Sequence, residues 1–172
     1  AFANAQALRY QAQERADAAL SAIGLIQVQL ASGAAVGAEE AARVQLRDPV
    51  VIEQPRLQRA ARLALAAALR NQGRADALAE QLKLLDALLA EAPEAEDALH
   101  AALLRTELDA TPAERAERLD WIQGQADANG MGALALAVRG YRARQASRAE
   151  QVDWQESVRA AGYAPAALHL RP

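Results

Sequence analysis

Between residues 74 and 92, leucine recurs at Leu78, Leu82, Leu85 and Leu89. Steps of three and four place those side chains on one face only if the backbone is an α-helix. The same period fills most of the chain. It runs through Leu57, Ala61, Leu65 and Leu69, then Leu99, Leu103, Leu104 and Leu108. It returns in Ala116, Leu119 and Ile122, in Leu134, Val138 and Tyr141, and in Val152 and Val158. At the start, Leu8, Ala12, Ala16, Ala19, Ile23, Ile26 and Leu30 predict one long first helix over 4–31. Composition agrees: 47 of the 172 residues are Ala and 24 are Leu, against two Thr and 3% aromatic residues. A sheet protein would need far more β-branched and aromatic side chains. The fold expected is therefore all-α. The one β-branched run, Val50-Val51-Ile52, reads as an extended connector packed on the core, because it has no strand partner.

Breakers divide the helical pattern. Ser32-Gly33 ends the first helix and Gly37 prolongs the break, leaving a short helix over 38–47 that Asp48-Pro49 closes. Gln54-Pro55 opens the next, with proline in its tolerated first-turn place. Asn71-Gln72-Gly73, Pro93, Asn129-Gly130 and Gly162 are further stops. Thr111-Pro112-Ala113-Glu114 and Ser147-Arg148-Ala149-Glu150 are capping boxes: a hydroxyl accepts from a free amide while a glutamate reaches back. About eight helices result, in one domain over 1–172. A long helix, a short helix and a connector fill 1–54. Three antiparallel hairpins follow over 55–161 (55–70 with 74–92, 94–108 with 112–128, 131–145 with 148–161), then an irregular tail over 162–172. The hairpins pack as a short solenoid or an irregular bundle. Leu84 and Leu88 widen the stripe of 74–92, which predicts a central helix touched on two sides. Trp121 and Trp154 are expected as core anchors. Small residues at Ala12, Ala16, Ala61 and Gly140 are expected to let helices approach closely.

The hairpin starts lie about 39 and 37 residues apart, within the period range of helical repeats. The stretch 65–93 joins a helix to an Asn71-Gln72-Gly73-Arg74 turn, an Ala/Leu-rich second helix and Pro93. In this outline it resembles a tetratricopeptide-repeat protein or a related helical-hairpin α-solenoid. It departs from that family in a longer second helix, and in Arg62, Leu69 and Leu85 where the family carries its characteristic aromatic residues. The resemblance implies a role in binding or assembling other proteins.

Chemistry-bearing motifs are sparse. With no Cys, disulfide scaffolds and cysteine-ligated metals are excluded. Asp97 and His100 make an Asp-x-x-His pair, but a di-iron site needs two such pairs, and the other histidine, His169, has no acidic neighbour. Gly130-x-Gly132-x-x-Ala135 follows a helix, not the strand that a dinucleotide fingerprint requires. No serine stands in a G-x-S-x-G elbow. Asp76 and Glu80, and Glu114, Glu117 and Asp120, read as solvated helix faces beside Arg74, Arg115 and Arg118. No enzymatic activity, metal or cofactor is expected. The charge of −3 and the lack of aromatic residues among the basic ones argue against nucleic acid. Two arginine groups remain as candidate grips for a protein or peptide partner: Arg139, Arg142, Arg144 and Arg148, and Arg56, Arg59 and Arg62. The function read from the sequence is a non-catalytic protein-interaction or assembly module. The alternative is an extracytoplasmic helical sensor or ligand-binding domain of a larger membrane protein, joined to the membrane only through segments outside 1–172. The uncharged run 18–38 reads as a buried helix, and the absence of Cys fits a periplasmic or secreted product.

Overall fold

The computed structural model describes residues 2–143 and 148–162, with backbone alone for 2–9, 148–151 and 153. The described chain is all helix. The helices are α1 (Phe2–Ser32), α2 (Ala35–Gln45), α3 (Pro49–Glu53), α4 (Pro55–Asn71), α5 (Ala75–Glu91), α6 (Ala95–Arg105), α7 (Pro112–Ala128), α8 (Gly132–Ala143) and α9 (Arg148–Ala160), with a 3₁₀ turn at Thr106–Leu108. The all-α expectation and the three hairpins hold, as α4–α5, α6–α7 and α8–α9, each pair packed together.

Local chemistry explains the boundaries. Gly73 and Gly130 take positive φ, 69° and 68°. Each lets the following amide reach back five residues, Arg74 N to Leu69 O at 3.0 Å and Met131 N to Ala126 O at 2.8 Å, so a free helix-end carbonyl is satisfied. The Thr111 box forms as predicted: Glu114 N donates to the Thr111 hydroxyl and Thr111 N to the Glu114 carboxylate. Ser147 of the second expected box lies outside the described residues, as do Arg144, His169 and most of the tail.

Three expectations need correction. Val50-Val51-Ile52 is helical in α3, because Pro49 opens a helix there as well as closing the one before. Asp48 caps α3, accepting from Val50 N at 2.8 Å, and Val51 is wholly buried. Cap and burial outweigh a β-branched preference worth under about 1 kcal/mol per residue. The hub of the bundle is α4, not α5. Helix α4 packs against α1, α2, α3, α5 and α6, while Leu84 on α5 stays 40% exposed. Ala61, Ala64, Ala66, Ala67 and Ala68 surround the α4 axis and are all buried, which leaves room for neighbours on every side. Lastly, Trp121 is 54% exposed, whereas Trp154 is buried and donates from Nε1 to Leu136 O at 2.9 Å.

The core is three adjoining clusters. Ala19, Ile23, Val51, Leu57 and Ala61 join α1, α3 and the start of α4. Ile26, Leu30, Ala38, Ala42, Leu65, Leu69, Leu78, Leu82, Leu85 and Leu104 join α1, α2, α4, α5 and α6. Leu99, Leu103, Leu119, Ile122, Leu134, Val138, Tyr141, Trp154 and Val158 join α6 to α9. Among the described residues the start of α1 joins no such cluster: every residue from 10 to 15 is exposed, Ala12 included.

A buried carboxylate pins α2 to the α4–α5 turn. Glu39 accepts from Gln72 at 2.8 Å, from Arg74 at 2.8 and 2.9 Å, and from Arg43 at 2.8 and 3.0 Å. These donors, Gln72 foremost, hold its pKa at about 2 against the raising effect of burial.

Two predictions follow from this packing. Leu85→Ala should destabilise the fold by about 2–5 kcal/mol, and Leu84→Ala by under about 1 kcal/mol, in urea unfolding. Because the Glu39 pKa is depressed on folding, its contribution is complete above the ordinary carboxylate value and is lost as pH falls from about 4.5 towards 2. Glu39→Gln should cost about 1.5–3 kcal/mol at neutral pH. The gap from wild type should close through that acid window when urea midpoints are measured against pH.

Candidate interaction surfaces

The arginines of α4 do not form a surface group. Arg56 is exposed, but Arg59 is buried, its side chain 7% exposed. Arg59 Nε donates to Asp97 Oδ2 at 2.6 Å and Nη1 to Ala92 O at 3.2 Å, so it clamps the end of α5 and the start of α6 onto α4. Arg62 donates to Gln81 Oε1 at 3.1 Å, and burial lowers its pKa. Arg59 and Arg62 are therefore corrected from partner contacts to internal fastenings. The reason is geometric: steps of three on a helix that is buried nearly all round bring some members inward.

On α8, Arg139 and Arg142 are both exposed. Arg142 pairs with Asp120 of α7 at 2.5 Å, an exposed bridge of small energetic weight. Arg148 begins α9, its side chain beyond the described atoms, so the structure brings together two members of this set. Arg70, at the end of α4, donates to the Tyr141 hydroxyl of α8, and its guanidinium lies 5.3 Å from the Tyr141 ring centre.

The other candidate motifs resolve into structural contacts. Asp97 turns to Arg59, while His100 stands 3.9 Å from Glu96. Desolvation lowers the His100 pKa, and Glu96 and Asp97 oppose it. Gly130 forms the turn between α7 and α8, and Gly132 is the first residue of α8. Asp76 and Glu80 are exposed, Glu114 completes the Thr111 cap, Glu117 is exposed, and Asp120 serves Arg142. Among the described residues, no three His, Asp or Glu side chains gather as metal ligands would.

What periodicity missed is an apolar outer face. Along α1, Ile23, Ile26 and Leu30 turn inward, at most 2% exposed, while Leu25 and Val28 turn outward at 65% and 63%. On α2, Val36 and Val44 are 63% and 61% exposed, with Glu40 between them in the same row. The run 18–38 is thus half-buried, a correction to the buried helix expected there. The available signal was its lack of charge, since an outward helix side ordinarily carries charged residues. Among the described residues, no helix is long and apolar enough to cross a membrane.

Comparison with family models, curated proteins and solved structures gives no match to the chain.

Removing Asp97 should strand a buried guanidinium. Asp97→Ala should destabilise by about 3–5 kcal/mol in chemical denaturation, and Arg56→Ala by under about 0.5 kcal/mol. Equal small losses would show that the Arg59 clamp is not a fastening.

Proposed function

We propose that this chain is a non-catalytic protein-interaction or assembly module of helical-hairpin type. The observation that supports this reading is the outer side of α1 and α2, where Leu25, Val28, Val36 and Val44 each expose more than three fifths of their surface. Single exposed apolar residues are ordinary on a protein surface. Three of the four, Leu25, Val28 and Val36, fall within a segment free of charge from 18 to 38, and Val44 follows on the same helix as Val36; such a set is the composition of a surface that another protein covers. The succession of hairpins α4–α5, α6–α7 and α8–α9 fits the same role, as does the exposed Trp121, a residue type common at the centre of interfaces.

The test is the triple variant Leu25→Glu/Val28→Glu/Val44→Glu, with its fold checked by circular dichroism. Wild-type and variant chains are used as bait in the source cells, and both are followed by sedimentation velocity. A protein, or a second copy, held by the wild type should be lost or weakened at least about tenfold in the variant. Identical retention and identical sedimentation would refute the reading.

A second reading, an extracytoplasmic helical sensor or ligand-binding domain of a larger protein, draws support from the start of α1. There, residues 10–15 are all exposed, as those of a connecting rod would be.

A further inference from the structure

We propose that the groove between α5 and the α6–α7 corner is a docking site for an acidic peptide segment, with a ligand carboxylate at Lys83 and Arg105 and a neighbouring apolar side chain on Ala79 and Leu108. The site goes beyond the interaction reading: it lies on other helices than the α1–α2 face, and either surface can fail without the other.

The groove has a volume of about 370 Å³. Its accessible apolar part is Ala79 and Leu108, over the buried Leu82, and its charged wall carries Lys83, Arg105 and Arg118 with Asp86 and Asp109. Three cations against two carboxylates leave a local excess of positive charge in a chain whose net charge is −3.

The pairing inside the groove selects the sign of the ligand. Asp109, its side chain 5% exposed, is gripped by Arg118 through Nε at 3.0 and 3.1 Å and Nη2 at 2.7 Å. Asp86 receives Arg105 Nη2 on both oxygens, at 2.9 and 2.7 Å. A cationic ligand would therefore have to break an existing arginine pair to reach a carboxylate. An anion meets no such obstacle. Lys83, the only lysine in the sequence, is exposed and makes no hydrogen bond or ion pair with a described residue. Arg105 spends Nη2 on Asp86, leaving Nε and Nη1, on opposite sides of the guanidinium, as single donors without a described partner. A carboxylate can join these two cations without displacing anything, in a charge-assisted contact.

The openness of the groove selects a peptide. Ala79, Lys83 and Asp86 on its rim are exposed, so a small acid would remain largely in water and forgo the burial that small-molecule sites provide. A peptide needs only one acidic and one apolar side chain in the groove, and its backbone covers the rim.

The experiment is amide chemical-shift titration of the whole ¹⁵N-labelled chain. The probes are acetyl-Leu-Glu-Glu-Leu-amide, its counterpart with Gln for Glu, and hexanoate. The Glu peptide should shift the amides around Lys83, Arg105 and Leu108. The Gln peptide should bind at least about tenfold more weakly. Raising salt from about 50 to about 500 mM should weaken the Glu peptide. Lys83→Arg should retain binding and Lys83→Glu should abolish it. Lys83 is exposed and unpaired, so neither change threatens the fold, and circular dichroism confirms this. No shifts at these residues, equal affinity for the two peptides, or undiminished binding by Lys83→Glu would each overturn the proposal. Hexanoate binding as tightly as the Glu peptide would overturn the assignment to a peptide.

Discussion

The fold depends on the small girth of α4. A helix touched by α1, α2, α3, α5 and α6 cannot carry large side chains all round, because neighbouring helix axes lie only about 8–10 Å away. Ala61, Ala64, Ala66, Ala67 and Ala68 meet that constraint, while Leu57, Leu65 and Leu69 fill the spaces between neighbours. Alanine also has the highest helix propensity, so the same residues that permit close approach hold the backbone helical. The abundance of alanine thus has a geometric use at this one helix.

Close packing of alanine faces is weakly directional, since small side chains interlock less than large ones. Register between elements is fixed instead by a few buried polar contacts. Glu39 ties α2 to the α4–α5 turn through Gln72 and Arg74, and Arg59 ties the α5–α6 junction to α4 through Asp97 and Ala92 O. Trp154 ties α9 to the Leu136 carbonyl of α8. These contacts are worth less for the net energy they add than for the alternatives they penalise. A slipped helix would leave a buried charge or indole without a partner, at a cost of several kcal/mol for a charge.

Helix identity and most helix ends were legible because they are local. Leu78, Leu82 and Leu85 mark a face by spacing alone, and Gly73, Gly130 and Thr111 act within one turn of their own position. What could not be read was which face meets what. Leu84 and Leu88 widen the α5 stripe in sequence, yet the fold leaves Leu84 40% exposed although α5 packs against both α4 and α6. Arg56, Arg59 and Arg62 form one row, yet Arg59 finds its acid 38 residues away and turns inward. Trp121 and Trp154 are alike in composition and opposite in burial. Each miss turns on a partner distant in sequence, about which helical period carries no information. The candidate surface was half legible: the missing charge between 18 and 38 was visible, and its direction was not.

That direction changes what the uncharged segment means. A helix that is apolar all round is stable when buried all round. In α1 the inward side is satisfied by Ala19, Ile23, Ile26 and Leu30, and these suffice to hold it on α3 and α4. Leu25 and Val28, 65% and 63% exposed, add little to that packing, and at exposed positions residues such as Glu or Lys would keep the helix about as stable and more soluble. Folding therefore does not account for them. On α2 the same holds for Val36 and Val44, whose β-branched side chains slightly lower helix propensity without gaining burial. Side chains that cost a little stability and solubility, and gain little burial among the described residues, are what the proposed contact with another protein would account for. This is the physical basis for proposing α1 and α2 as the side that meets a partner.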